Sequence, residues 1–318
     1  MDSNNPYIEN LKCALSQNGL TINLSPAKSA FLDLIKNGFR SDLIVLNWIE
    51  NVPSNKFGIF QTLALLIYFN ILKPLGVRIV WVRHNKQTRR HRRIGLHKIL
   101  ERALCLYSDH IIQHSLDAAP NLSGKVIFMQ HPNNLNPGDI LSPTYQESAP
   151  IDFLIWGTLL PYKGVLEFLR LIAGDAALGK FNIHIAGKCP DKNYWRALIM
   201  EKTDNVRILD KYVEKHELKE LFRISRFILF TYRKDSVLSS GVLIDSLLAG
   251  KRIIAPNCGA FRDIAESHGF VSIYEELTEI SAIYAANYHN YILDQSELKD
   301  FLLENSWQKM GEKLKALI

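Results

Sequence analysis

Cysteine is scarce in this chain of 318 residues: Cys13, Cys105, Cys189 and Cys258 are the four, scattered with no short pairing. That spacing suits neither a zinc site nor a disulfide framework, and a reducing compartment is the default reading. A bilayer-spanning run is missing as well. The most apolar stretch, 60–72 (FQTLALLIYFNIL), is shorter than the ~20 residues a spanning helix needs and is interrupted by Gln61, Thr62 and Asn70. It reads as a core helix or an interfacial one. The N-terminal MDSNNPYIEN has no basic segment and no apolar one, so no secretory leader is expected. No Asp-x-Asp follows any predicted strand, so no metal clamp is expected either.

What is present is the make-up of a folded protein, 47% apolar and 22% charged, long enough for two domains of about 150 residues. The net charge of +6 is unevenly spread, and the densest basic run is 83–93 (RHNKQTRRHRR). Such a run fits a solvated loop, an anionic membrane surface or a phosphate-bearing substrate. Nucleic acid is not expected, because no aromatic-bearing strands or recognisable module accompany the charge.

Short apolar runs alternate with helical spacing along the whole chain. Strands are predicted at 42–48, 77–82, 110–114 and 125–129, with helices near 7–17, 58–74 and 93–107. Between 132 and 150 the composition shifts to Pro132, Pro137, Pro143 and Pro150 among Asn, Ser, Gly and Thr, which marks a linker. The alternation then restarts with strands at 153–156, 181–186, 206–209, 227–230 and 252–255 and helices near 164–173, 214–224, 241–249 and 261–267. A last amphipathic helix is predicted over 296–316. The pattern predicts an α/β chain of two Rossmann-like, doubly wound domains with a cleft between them. The expected division is 1–145, 146–298, and a C-terminal helix, 299–318, that packs back on the first domain.

Three strand ends in the second half carry chemistry. Gly157 closes the strand at 153–156, and the loop after it leads to Lys163-Gly164 at the mouth of a helix. A glycine there lets backbone approach a ligand, and the lysine brings charge to where phosphate oxygens would sit. The bland alternative is a tight turn with a solvated lysine. Ser239-Ser240-Gly241 precedes a helix whose first N–H groups point at any approaching anion, and Val242 follows. Asp245 stands one turn on, where a carboxylate would receive ribose hydroxyls; an N-cap serine and a surface aspartate are the plainer readings. Gly187 ends the strand IHIA at the same edge.

The order of these pieces resembles the donor domain of GT-B glycosyltransferases, in particular the broad family 4 group that includes bacterial polysaccharide transferases. The carriers are Gly157 to Gly164, the IAGK strand end (Ile185 to Lys188), NVRILDKYVEKHELKELFRISRFILF (Asn205 to Phe230) and SGVLIDSLLAGKRIIAPNCGAFRDIAE (Ser240 to Glu266). In the first half Asn5-Pro6-Tyr7, Trp48-Ile49-Glu50 and His84-Asn85 are similar to features of the same group. The resemblance implies a hexosyltransferase that serves cell-surface polysaccharide synthesis, and the basic run 83–93 with the apolar stretch 60–72 suggests a cytoplasmic protein docked on the anionic inner face of a membrane. The resemblance also implies a UDP- or GDP-sugar as donor substrate, a saccharide or lipid-linked saccharide as acceptor, and no cofactor. Lys163 would bind the diphosphate, Gly241 and Val242 would offer backbone N–H groups, and Asp245 would hold the ribose. The chain differs from the family's usual pattern in having Thr158 after the first glycine and Val237 where a Glu-x7-Glu pair would begin.

Glycosyl transfer also needs a group to receive the acceptor's proton or hold its hydroxyls. Glu50 follows the strand LNWI and His84 follows IVWVR, and these are the catalytic candidates beside the readings of a helix-start carboxylate and a loop histidine. His114 and His131 read as structural. A sugar-nucleotide epimerase of the same fold, or a non-catalytic transferase-like subunit, remains open from sequence.

Overall fold

The computed structural model describes residues 6–23, 30–84, 93–118, 125–133, 140–141, 149–234 and 240–317. Asn5, Asn85, Val237 and Ser239 lie outside these residues, as does most of the proline-rich stretch 132–150. Contacts divide the chain into two units, Met1–Pro132 with Asn305–Ile318, and Asn133–Glu304.

The first unit runs α1 (Pro6–Gln17), α2 (Ala30–Asn37), β1 (Leu43–Asn47), α3 (Gly58–Leu72), β2 (Arg78–Arg83), α4 (Ile94–Tyr107), β3 (His110–Gln113) and β4 (Val126–Phe128). Its four strands are parallel in the order β1-β2-β3-β4. Successive side chains on a strand point to opposite faces. Ile44, Leu46, Ile79, Trp81 and Ile111 accordingly pack under α3 and α4, with Leu65, Phe69, Leu72, Leu100 and Leu104. Val80, Val82 and Ile112 face the other way. The strand order is straight, so the crossover helices α3 and α4 share one face and leave the other to be covered by something else.

The second unit opens with β5 (Ile151–Trp156), α5 (Val165–Gly174), β6 (Ile183–Ala186), α6 (Lys192–Met200), β7 (Val206–Leu209), α7 (Lys215–Ile224) and β8 (Ser225–Leu229). It continues with α8 (Gly241–Ser246), β9 (Ile253–Pro256), α9 (Gly259–Ser267), β10 (Val271–Tyr274), α10 (Ile280–Asn287) and α11 (Gln295–Glu304). Six parallel strands lie in the order β10-β9-β8-β5-β6-β7. This is the doubly wound order, and its switch point lies between β5 and β8, the position at which sheets of this order take ligands at their carboxyl edge. Phe153, Ile155, Phe227 and Leu229 pack on one face, and Leu154, Ile228 and Phe230 on the other.

The chain ends supply the missing cover of the first sheet. α12 (Trp307–Lys315) lies in the first unit beside α1, and Trp307, Met310 and Leu314 join Tyr7, Leu11, Ala14 and Leu15 against Val80, Val82 and Ile112. The single helix predicted over 296–316 is therefore two. The first ends at Glu304 and Ser306 caps the second, its hydroxyl accepting from the Lys309 N–H.

Candidate functional site

Lys163 sits at the switch point of the second sheet. β5 ends at Gly157, whose φ of 90° lies in the left-handed region that favours glycine. Its N–H donates to the Ala186 carbonyl at 2.9 Å, tying the loop to the end of β6. Gly187 closes that strand, and a Cβ there would run into the Gly157 carbonyl oxygen. The two glycines thus let two strand-end loops touch. After Gly157 the chain makes a short turn, Pro161–Lys163, pinned to the end of β8 because the Thr231 hydroxyl donates to the Lys163 carbonyl at 2.7 Å.

The lysine's side chain is bent back over this junction. It is only 3% exposed. Its Nζ lies 5.4 Å from the centroid of the Tyr232 ring, and its one hydrogen bond among the described residues is a long 3.4 Å contact to the Trp156 carbonyl. An ammonium has three donors, and among the described residues no carboxylate meets this one. Burial pushes its pKa down to about 8. A desolvated cation with one weak partner stands ready for an anion.

α8 borders the same spot. Val242 reaches Gly157, its methyl carbons 3.2–3.5 Å from where a Cβ on that glycine would be. Ser240 is the N-cap of α8, and its hydroxyl lies 3.4 Å from the Tyr232 hydroxyl. Gly241 is the first residue of the helix. The structure therefore brings Gly157, Lys163, Gly187, Ser240, Gly241 and Val242 around one junction. Asp245, one turn along α8, is half-buried and makes no side-chain hydrogen bond among the described residues. Burial raises its pKa to about 6 against the opposing pull of Lys215. No ion pair joins it to Lys163. Lys234, the neighbouring cation in sequence, is engaged elsewhere, 2.7 Å from Glu275.

A second cluster lies at the carboxyl edge of the first sheet. Trp48 leaves β1 with a φ of 51°, a left-handed conformation that is strained for a non-glycine residue, and stacks on His84 at 4.1 Å between ring centroids. His84 follows β2, and its Nε2–H donates to Asn47 Oδ1 at 3.0 Å, which leaves Nδ1 as the accepting nitrogen. His114 follows β3. Its Nδ1–H donates to the Met129 carbonyl at 2.7 Å, so its Nε2 receives the Tyr7 hydroxyl at 2.9 Å. His131, beyond β4, donates from Nδ1 to the Pro132 carbonyl and keeps Nε2 as an acceptor. Tyr7 on α1 meets Trp48, His84, His114 and His131 at ring-centroid distances of 4.8–5.9 Å.

Burial, reinforced by mutual repulsion, holds these imidazoles neutral. His84 falls well below its usual value through burial first, then through His114 and His131. His114 falls to about 3 and His131 to about 4, burial leading in both. Tyr7 is pushed upward by burial and stays a phenol. Glu50 lies beneath this edge, buried, with the Trp81 indole N–H donating to its carboxylate at 3.4 Å and the His97 Nδ1–H donating to its carbonyl at 2.9 Å. It is part of the packing under the edge, whereas His84 belongs to the cluster. Tyr7, Trp48 and His84 came from three separate fragments that resembled one family. What the fragments did not reveal is that His114 and His131 join them. Among the described residues no group of His, Cys, Asp and Glu is arranged to hold a metal ion.

No family model and no curated protein matches the chain. Solved structures do. The chain is similar to Anabaena Alr3699/HepE in complex with UDP, at 14% identity over 96% of this chain and 88% of that one, with a TM-score of 0.65. Its fold is that of the GT-B glycosyltransferases. An α,α-trehalose-phosphate synthase (UDP-forming) from Burkholderia vietnamiensis gives a TM-score of 0.59, with 14% identity over 98% of this chain and 74% of that one. AviGT4, a glycosyltransferase involved in avilamycin A biosynthesis, gives 0.57, with 14% identity over 98% and 88%. At such identities the likeness is one of architecture, and the residues described above are this chain's own.

Proposed function

We propose that this chain is a hexosyltransferase that takes its sugar from a nucleoside diphosphate, UDP or GDP, and passes it to a saccharide or lipid-linked saccharide. The observation that carries the reading is Lys163: a buried ammonium at the β5–β8 switch point that, among the described residues, has one 3.4 Å side-chain hydrogen bond and meets no carboxylate. A diphosphate placed there would satisfy its donors, and the backbone N–H groups of Gly241 and Val242 would add to them. Gly157, Gly187 and Ser240 supply a wall without bulk, and Asp245 would accept the ribose hydroxyls. HepE, of similar fold, has been solved with UDP-glucose, which supports a donor of this class.

In the reaction the bond between the anomeric carbon and the β-phosphate oxygen breaks, and the nucleoside diphosphate leaves with the bonding electrons. The acceptor's hydroxyl oxygen forms the new glycosidic bond and gives up its proton. Lys163 stabilises the negative charge that develops on the departing phosphate. The neutral His84, whose depressed pKa makes it a poor base, accepts a hydrogen bond from a sugar hydroxyl at Nδ1, and the hydroxyl proton passes to water as the bond forms. Charge neutralisation by Lys163 and α8 is the basis for a metal-independent reaction. The same reading places the enzyme in cell-surface polysaccharide synthesis, in the cytoplasm and peripheral to the membrane.

The experiment is incubation with labelled UDP- and GDP-sugars, with and without a panel of saccharide acceptors. Label should move only when an acceptor is present, and Lys163→Ala should abolish the transfer. Turnover of the sugar nucleotide without acceptor would mark an epimerase, and binding without turnover of any kind a non-catalytic subunit.

A further inference from the structure

We propose that α3 and α4 together form the face by which this protein lies on an anionic membrane. This deepens the peripheral placement given above and uses none of the donor-site residues. α3 contains no charged residue and is apolar around almost its whole circumference, which is ordinary only for a helix covered on every side. Yet one side is open. Phe60 is 75% exposed, Leu63 50%, Ile67 64% and Ile71 44%. These positions follow one another at three- and four-residue steps and so form a single stripe along a helix about 22 Å long. The buried side, with Leu65, Phe69 and Leu72, is the one that packs on the first sheet.

α4 packs beside α3 and extends the open face. Ile94, Ile99 and Leu106 are exposed on it, with Lys98 and Arg102 exposed among them. The one acidic residue of α4, Glu101, is taken by Arg83 at 2.7 Å. At the start of α3, Lys56 lies 5.6 Å from the centroid of the exposed Phe57 ring. The face is thus aliphatic and aromatic, carries Lys56, Lys98 and Arg102, and offers no unpaired acid from either helix. That charge complements phosphate headgroups. It argues against a second copy of the chain, because a two-fold pairing would set this face against itself and leave the bases facing bases. α3 is too short to cross a bilayer and has the character of a helix that lies in its interface.

The test is flotation of the whole protein with vesicles of phosphatidylcholine alone and with about 30% phosphatidylglycerol, at low and high salt. Binding to the anionic vesicles is expected at low salt. Phe60→Ser/Ile67→Ser should reduce the partition coefficient at least about tenfold on both vesicle types. Lys98→Ser/Arg102→Ser should reduce it on the anionic vesicles only, and this pair keeps the test informative should the serine pair alter the melting curve. Wild-type protein that stays unbound at low salt would overturn the proposal. So would a dimer in sedimentation velocity that Phe60→Ser/Ile67→Ser dissolves, since the face would then belong to a second copy. UDP-glucose binding measured on the same preparations reads the transferase proposal separately: its loss alongside intact vesicle binding would count against that reading and not this one.

Discussion

Two ionisable side chains in the second unit hold charge with little help from the protein, and their pKa values move in opposite senses. Lys163 falls to about 8 and Asp245 rises to about 6, each through burial. A diphosphate needs the lysine protonated, so affinity should fall as pH rises through about 8. Ribose hydroxyls need an ionised carboxylate, so it should also fall as pH drops through about 6. Titrating UDP-glucose by calorimetry from pH 5 to 9 should therefore give a maximum between these limits, with the alkaline limb absent in Lys163→Ala and the acid limb absent in Asp245→Asn. The sugar nucleotide is the better titrant because its phosphates carry no proton that titrates near pH 6.

The same shift has a stability consequence without ligand. Because the folded-state pKa of Asp245 is raised, the folded protein holds the proton more tightly than the unfolded one between pH 4 and 6. Stability is lost as pH rises through that window, and the deficit stays constant above it. Asp245→Asn should melt a few degrees higher than wild type at pH 8, about 2–4 °C per kcal/mol recovered, with the gain shrinking to nothing near pH 4. An equal gain at both pH values would refute this account of Asp245.

At the scale of elements, the first sheet depends on helices from the two ends of its unit. Gly311 brings α12 close to α1: a Cβ there would lie 2.7 Å from the Ala14 carbonyl oxygen. Gly311→Val should cost roughly 1–3 kcal/mol by forcing the helices apart, and Trp307→Ala about 3 kcal/mol by emptying a buried position. Chemical denaturation read by circular dichroism would check both. The histidine cluster should make this unit acid-labile. His114 and His131 have depressed folded pKa values, so their contribution is intact above about 6.5 and is lost as pH falls toward 4 and 3. Three of the five tryptophans, Trp48, Trp81 and Trp307, lie in this unit. Acid titration of the fluorescence should show a transition in that window, moved to lower pH in His114→Gln.

Some of these elements were legible in the chain and others were not, for local reasons. β1 to β9 each carry an apolar run bounded by polar residues, and their positions follow from it. β10 (VSIY), as long as β3, β6, β7 and β9, was not picked out from its apolar run. α6 has little apolar excess, and its one clear mark is Asp191, whose carboxylate caps it by accepting from the Asn193 and Tyr194 N–H groups. The histidines were individually visible, His84 as a catalytic candidate and His114 and His131 as structural residues. Their convergence is a product of register: Asn47 pairs with Val82, Arg83 with Gln113, and Gln113 with Phe128, so the strand ends stand side by side. Period and composition carry no such information.

At the scale of the whole molecule, one unit carries a glycine-lined junction around Lys163 and the other an aromatic–histidine edge around Tyr7. The juxtaposition of Gly157 with Gly187 could be expected from sequence because each glycine directly follows a strand of the same parallel sheet, β5 and β6. The central claim is that the buried Lys163 receives a nucleoside diphosphate. Isothermal titration of UDP and of GDP against the wild-type protein and Lys163→Ala at pH 7 tests it most directly. One nucleotide should bind at a single site per chain, and the substitution should weaken it by about 1–3 kcal/mol while leaving the melting curve in place. Equal affinity in the two proteins, or no binding of either nucleotide to the wild type, would contradict it.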